Sequence, residues 1–482
     1  MAEVKLSNSL TRQKEPLWAP EGRALKMYSC GPTVYGRAHI GNLRAYVFAD
    51  VLRRVLEYGG YGVRQVMNLT DVDDKTIRNS RAAGASLNEY TAPFIAQFKT
   101  DIAALNIQAP ATLPRATEYI PQMVAIIETL LEKGVGYKGD DGSVYFSIAK
   151  FPPYGRLTNV EGRELQAGAS GRVLADEYDK ESVADFALWK AWTEQDGEVF
   201  WETSLGKGRP GWHIECSAMS MAELTAAFEG ERFRPEKFET LDIHTGGVDN
   251  MFPHHEDEIA QSEAATGKEF ARFFVHNEHL LVDGQKMAKS LGNVYTLDDV
   301  EKKGFSPLDF RFLLMQAHYR QKLNFTWDSL KAAREARLGL AEFLAEQAGG
   351  SDTLAEALAK RMREVKEEAD SELFDDLGTP AALAALLGLR REINRSSVKS
   401  PSVAAFYVEY EKVFGLGLDK PSAELLADIP EEVQNLVSER ERARVDKDFG
   451  LADELRQKIE AAGFTVEDAP SGPKIRSSSR MQ

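Results

Sequence analysis

Cysteine is nearly absent from this chain: two residues, Cys30 and Cys216, in 482. That excludes a disulfide framework and reads as a reducing compartment, so a cytoplasmic location is expected. Long apolar runs are also missing. The longest candidate, residues 381–389, is far shorter than the ~18 residues that span a bilayer, and no basic-then-apolar leader opens the chain. No membrane association is expected. Positive charge is in deficit too, with 59 Lys and Arg against 75 Asp and Glu and a net charge of -16. Affinity for a phosphate backbone comes mainly from Lys and Arg, so bulk composition argues against nucleic acid, although an acidic protein can still carry a local basic groove. Internal repeats are lacking, and the one biased segment is the serine-rich tail 471–482, which reads as frayed. What the chain does have is length for about three domains and enough hydrophobic residues, 43%, to give each a core.

Residues 25–42 form the first informative stretch. A short apolar run ends in Cys30, Gly31-Pro32 breaks it, and His39-Ile40-Gly41-Asn42 opens a segment in which Ala45, Phe48, Ala49, Leu52, Val55 and Leu56 recur at helical spacing. A helix start carries unpaired N–H groups and the positive end of the macrodipole, and a glycine lets a ligand reach the backbone. On its own this is also an ordinary strand–helix connection. A second strand is expected over 63–69, ending near Thr70, and helices over 87–105 and 119–133. Alternating strands and helices favour a doubly wound parallel sheet with ligands at the carboxyl ends of its strands. From 134 to 206 short β-like runs with Gly and Pro turns suggest an insertion. The sheet pattern resumes through 210–216, where Cys216 is expected to end a strand as Cys30 does, and through 241–249. Pro253 then starts a helix with acids in its first turn, placing His254 and Glu258 on one face. Asp283-Gly284 signals a hairpin leading into Lys286-Met287-Ala288-Lys289-Ser290. After Pro307 the chain reads as nearly all helix, rich in Ala, Leu, Glu, Lys and Arg.

Five segments occur together in one order: Cys-Gly-Pro-Thr-Val-Tyr at 30–35, His-Ile-Gly-Asn at 39–42, Arg-Pro-Gly-Trp-His-Ile-Glu-Cys at 209–216, Phe-Pro-His-His-Glu-Asp-Glu at 252–258 and Lys-Met-Ala-Lys-Ser at 286–290. With these, nearly the whole chain resembles the cysteinyl-tRNA synthetases, class I aminoacyl-tRNA synthetases. The resemblance implies an α/β fold: a Rossmann-type parallel-sheet catalytic domain (1–133 and 207–285) with an inserted connective domain (134–206). A catalytic lysine loop and stem-contact region (286–330), an α-helical bundle (331–425) and a small C-terminal anticodon-binding domain (426–482) would follow. The implied activity is ATP-dependent ligation of L-cysteine to tRNA through a cysteinyl-adenylate, by a monomer.

The resemblance also assigns residues. Cys30, Cys216, His254 and Glu258 match the family's ligands for one Zn²⁺, which would select the substrate thiol over the hydroxyl of serine, with no editing domain needed. Their spacing alone would not have suggested a metal, because a lone buried cysteine is usually a small hydrophobe. Thr70 and Trp212 match the amino-acid pocket alongside Cys30; the alternatives are a helix cap or strand end for Thr70 and a core aromatic for Trp212. His39, Asn42, Lys286 and Lys289 match the groups that stabilise charge on ATP, which brings Mg²⁺, while Gly41, Gly246, Gly247 and Asp249 match the nucleotide pocket. Three positions depart from the family: Asn42 where His is frequent, Ala288 where Ser is usual, and Ile475 where Trp is usual. For RNA the resemblance implies stem contacts near 311–327 and anticodon reading by the last unit, where Arg440, Arg442, Arg444, Lys447, Arg456 and Lys458 alternate with acids.

Overall fold

The computed structural model describes residues 1–18, 22–158, 185–347, 350, 354–396, 398–418, 430–469 and 472–477. Its centre is a four-stranded, all-parallel sheet in the order Ala271–Asn277, Leu241–Gly247, Leu25–Ser29, Val63–Met67. Leu25–Ser29 is buried at every position, as a strand covered on both faces must be. Helix Ile40–Tyr58 carries the chain from Leu25–Ser29 outward to Val63–Met67, and helix Glu256–Thr266 carries it from Leu241–Gly247 outward to Ala271–Asn277. The two crossovers diverge, so the switch point lies between Leu25–Ser29 and Leu241–Gly247, where an open parallel sheet leaves a crevice. Cys30 and Gly247 stand at its two lips.

Local sequence accounts for the helix starts. His39, Asp73 and Ser86 each close a capping box with the residue three positions on. Among the described residues no helix is long and apolar enough to cross a membrane. The inserted portion forms a five-stranded antiparallel sheet, Gly136–Lys138, Val144–Phe146, Phe186–Ala191, Gly206–Pro210, Trp201–Thr203. It runs on to Pro210, past the expected boundary at 206, because Gly206–Pro210 pairs with Phe186–Ala191; residues 159–184 of the insertion lie outside the described set.

The segment after Pro210 corrects one expectation. Cys216 does not end a strand; it lies in the second turn of helix Trp212–Leu224, which starts at Gly211. A Cβ at Gly211 would run into the Ala187 carbonyl, so the chain turns out of the inserted sheet there. Ile214, Ala218, Met221 and Leu224 then follow at helical rather than alternating spacing and are buried. The C-terminal end brings a second correction. The tail is not frayed from 471: Gly472–Ser477 pairs antiparallel with Phe464–Ala469, Ile475 opposite Val466, over a small core of Val433, Val437, Ile459 and Phe464. Residues 478–482 lie outside the described set. Between these, helices Trp327–Gln347, Glu356–Phe374, Thr379–Ser396 and Pro401–Glu409 make up the bundle.

The central parallel sheet is tied to the helices beyond it by a buried charge cluster. Asp50 accepts from Arg54 at 2.8 Å and from Arg311 at 2.5 Å, while Arg311 also donates to the Phe414 and Leu105 carbonyls. Arg311 has no exposed surface, which removes it from the expected stem contacts with RNA.

Candidate metal and nucleotide site

Cys30, Cys216, His254 and Glu258 converge beside the switch point, their ligand atoms all within 4.8 Å of one another and all four residues buried. Three separate segments supply them. Cys30 follows the strand end, Cys216 faces it from helix Trp212–Leu224, and His254 and Glu258 sit one turn apart where a wide turn, Met251–His255, runs into helix Glu256–Thr266. His254 Nε2 is 3.2 Å from Glu258 Oε1, and Cys30 Sγ is 4.0 Å from the same oxygen.

The electrostatics show what the cluster needs. Burial pushes the Cys30 thiol up, and the hydrogen bond with Cys30, together with burial, pushes the Cys216 thiol up much further. Burial pushes His254 down to about 3. Two thiols, a neutral imidazole and a carboxylate packed together make a soft N, S and O donor set, the kind that holds zinc once the thiols lose their protons. The residues present fit that ion.

Four further histidines surround these residues, and sequence reasoning assigned none of them. His244 Nε2 lies 3.0 Å from Glu258 Oε2, and His255 Nε2 lies 3.3 Å from Cys30 Sγ, so Cys30, His244, His255 and Glu258 form a second overlapping donor set. His255 Nδ1 is 2.8 Å from His276 Nε2, whose Nδ1 is 2.8 Å from Ser9 Oγ. His213 Nδ1 is 2.9 Å from His254 Nδ1. His213, His244 and His255 lie inside the quoted motifs or beside them, but a histidine alone carries no signal of whether it ligates or supports a ligand.

The residues predicted for the amino-acid pocket lie beside the same cluster. Trp212 is no core aromatic: it is 40% exposed and stacks on His254 with ring centroids 4.2 Å apart. Thr70 is held against the Cys-Gly-Pro-Thr turn, its N–H donating to the Pro32 carbonyl and its carbonyl accepting from Val34. Its hydroxyl accepts from Asn68 Nδ2 at 3.0 Å and meets the buried Glu215, whose Oε2 has no partner among the described residues. A Cβ on Gly31 would overlap the Asn68 carbonyl, which explains the glycine.

At the start of helix Ile40–Tyr58, His39 Nδ1 accepts from the Asn42 N–H at 3.2 Å and Asn42 Oδ1 accepts from the His39 N–H at 3.2 Å. Asn42 thus completes the capping box at N3. Gly246 and Gly247 end their strand across the crevice, and Asp249 follows in the turn Val248–Asn250, close enough that its charge raises the Cys30 thiol. The expected hairpin forms: Leu280–Val282 pairs with Gln285–Lys286, with Asp283 and Gly284 at φ 48° and 76°. It aims the lysine loop at the helix start, since a Cβ on Gly41 would collide with Met287 and Ile40 donates to the Tyr295 carbonyl at 2.8 Å. The Lys286 side chain is exposed, and that of Lys289 lies outside the described set.

A family profile described as tRNA synthetases class I (C) catalytic domain matches residues 18–335, and one described as cysteinyl-tRNA ligase anticodon binding domain matches 426–476. The chain belongs to the cysteine–tRNA ligase family. Cysteine–tRNA ligase of Protochlamydia amoebophila is 44% identical over 98% of both chains, and that of Chlamydia felis is 45% identical over 98% of this chain and 97% of its own. As a member of that family the chain is a ligase. Two solved class I synthetases share its fold. Mycobacterium tuberculosis methionyl-tRNA synthetase bound by methionyl-adenylate has a TM-score of 0.59 at 13% identity, covering 85% of this chain and 95% of its own. The Agrobacterium radiobacter K84 LeuRS in a ternary complex with tRNA and LeuAMS has a TM-score of 0.60 at 13% identity, covering 85% and 86%.

Within the anticodon-type unit the basic residues are unequal. Arg440 is 2% exposed and paired with Glu441, so it cannot offer its charge to a ligand, whereas the arginine-bearing helix Glu431–Val445 and helix Phe449–Ala461 leave Val445 and Phe449 exposed at their junction.

Proposed function

We propose that this chain joins L-cysteine to its cognate tRNA in two steps. The cysteine carboxylate attacks the α-phosphate of ATP, forming cysteinyl-adenylate and releasing pyrophosphate; a hydroxyl of the terminal adenosine of tRNA then attacks the acyl carbonyl and releases AMP. The observation that carries the reading is the convergence of Cys30, Cys216, His254 and Glu258 at the end of strand Leu25–Ser29, the strand that leads into helix Ile40–Tyr58 with His39 as its cap.

Zinc held by those four residues would supply a Lewis acid whose preference for thiolate over a neutral hydroxyl favours cysteine over serine. The protein side chains do the rest. Trp212 and Thr70 wall the amino-acid pocket. Asp249 and Gly246-Gly247 receive the nucleotide, whose phosphates arrive with Mg²⁺. The N–H groups at His39–Asn42 and the lysines at 286 and 289 stabilise the charge that builds on the phosphates during transfer. No protein nucleophile is required, so alignment and electrostatics carry the rate. The last unit reads the anticodon, and the enzyme works in the cytoplasm.

ATP–pyrophosphate exchange with cysteine and with serine, followed by charging of tRNA, tests this. Cysteine-dependent exchange with serine excluded is expected; exchange with neither amino acid overturns it.

A further inference from the structure

Residues 151–158, on the inserted side of the chain, grip the first turns of helix Glu256–Thr266. Glu256 accepts the N–H groups of Gly155, Leu157 and Thr158 at 2.9, 3.1 and 3.1 Å, and Arg156 pairs with Glu263. These contacts dock the loop. One more contact leads elsewhere. The Tyr154 hydroxyl donates to Asp257 Oδ1 at 2.5 Å, and Asp257 Oδ2 approaches His213 Nε2 at 3.1 Å, bent from the line of an ideal hydrogen bond. His213 Nδ1 in turn meets His254 Nδ1 at 2.9 Å, and His254 Nε2 faces Glu258.

The direction of this chain follows from the metal end. A neutral imidazole that gives Nε2 to a metal carries its proton on Nδ1. His254 therefore donates to His213 Nδ1, which leaves the His213 proton on Nε2, pointing at Asp257. Asp257 can accept there because its other oxygen is held by Tyr154. With the His254 proton on Nδ1, the His213 Nε2–H is left facing the Asp257 carboxylate, a close polar contact at 3.1 Å rather than a formed hydrogen bond.

We infer that Tyr154, Asp257 and His213 are positioning residues that fix the tautomer and orientation of His254, so that the inserted segment takes part in holding the metal. The inference rests on the zinc reading above. It separates two jobs of one loop: Arg156 and the Glu256 contacts hold it in place, and Tyr154 acts on the site.

The test uses zinc affinity of the full chain, measured by chelator competition, for wild type, Tyr154→Phe, Asp257→Asn and Arg156→Ala. Partners behind a ligand change metal affinity by about 10–100-fold, so Tyr154→Phe should loosen zinc by about tenfold. Asp257→Asn should loosen it more, because an amide NH₂ turned to His213 demands the opposite tautomer and sets two Nδ1–H groups against each other. Arg156→Ala should stay within about twofold of wild type, since Gly155, Leu157 and Thr158 still dock the loop on Glu256 and Arg156 touches no member of the chain of contacts. The cysteine KM should rise with zinc loss while the ATP KM holds, and added zinc should restore it. Circular dichroism monitors folding; if Asp257→Asn does not fold, the comparison of Tyr154→Phe with Arg156→Ala decides. Wild-type affinity in Tyr154→Phe, or equal loosening in Arg156→Ala, overturns the inference with the zinc reading intact. A wild-type chain that takes up no zinc overturns both.

Discussion

Replacing His276 with glutamine should alter the acid sensitivity of the catalytic domain by a calculable amount. His276 is 4% exposed on strand Ala271–Asn277, between His255 and Ser9, and burial pushes it down from 6.5 to about 3. Above pH 6.5 neither folded nor unfolded chain carries the proton, and the residue adds no pH dependence. Below it the unfolded chain binds a proton that the folded chain refuses, so stability falls by about 1.4 kcal/mol per pH unit until the folded value is reached. From pH 7 to pH 5 the loss is about 2 kcal/mol. Glutamine cannot titrate. Its own contact losses set a stability gap to wild type at pH 7, and that gap should narrow by about 2 kcal/mol at pH 5. Buried acids whose titration is shifted upward, Glu215 and Asp257 among them, act in both chains and cancel in the difference. Urea unfolding followed by tryptophan fluorescence at pH 5, 6, 7 and 8 measures it. A gap that stays constant across this range refutes the argument that burial keeps His276 neutral.

Cys216→Ser should abolish stoichiometric zinc and raise the cysteine KM severely while sparing ATP, as read by metal analysis and pyrophosphate exchange; a zinc-free, fully active variant contradicts the ligand assignment. Lys289→Ala should lower kcat for exchange far more than it weakens cysteine binding, and equal loss of both argues against a role in the transition state. Asp50→Ala leaves the fully buried Arg311 without its carboxylate and should cost about 3–5 kcal/mol in urea unfolding, whereas a loss below about 1 kcal/mol means that solvent reaches the cluster.

Much of the site was legible along the chain because its parts are local. The strand–loop–helix at 25–42, the hairpin before Lys286 and the pairing of His254 with Glu258 each depend on residues within a few positions, and turn chemistry and helical spacing report those directly. The helix at Cys216 was misread because the motif around it is too short for its periodicity to separate from a strand, and its start at Gly211 depends on where the inserted sheet lets go. The pairing of Gly472–Ser477 was hidden because a Gly-Pro start and a single apolar residue among Lys474, Arg476 and Ser477 become a strand only opposite a partner that partly buries Ile475.

By itself the sequence determined which chemistry is present: two cysteines, the His254 and Glu258 step, a glycine-bearing helix start and a lysine loop, in the order of one family. Only the tertiary structure decided that these meet, because the crevice exists where two crossovers diverge from adjacent strands about 215 positions apart, and no local pattern encodes that adjacency. It also decided the company His254 keeps. Close polar contacts from Tyr154 through Asp257 and His213 join elements that are distant in the chain, and such contacts follow from packing rather than from spacing.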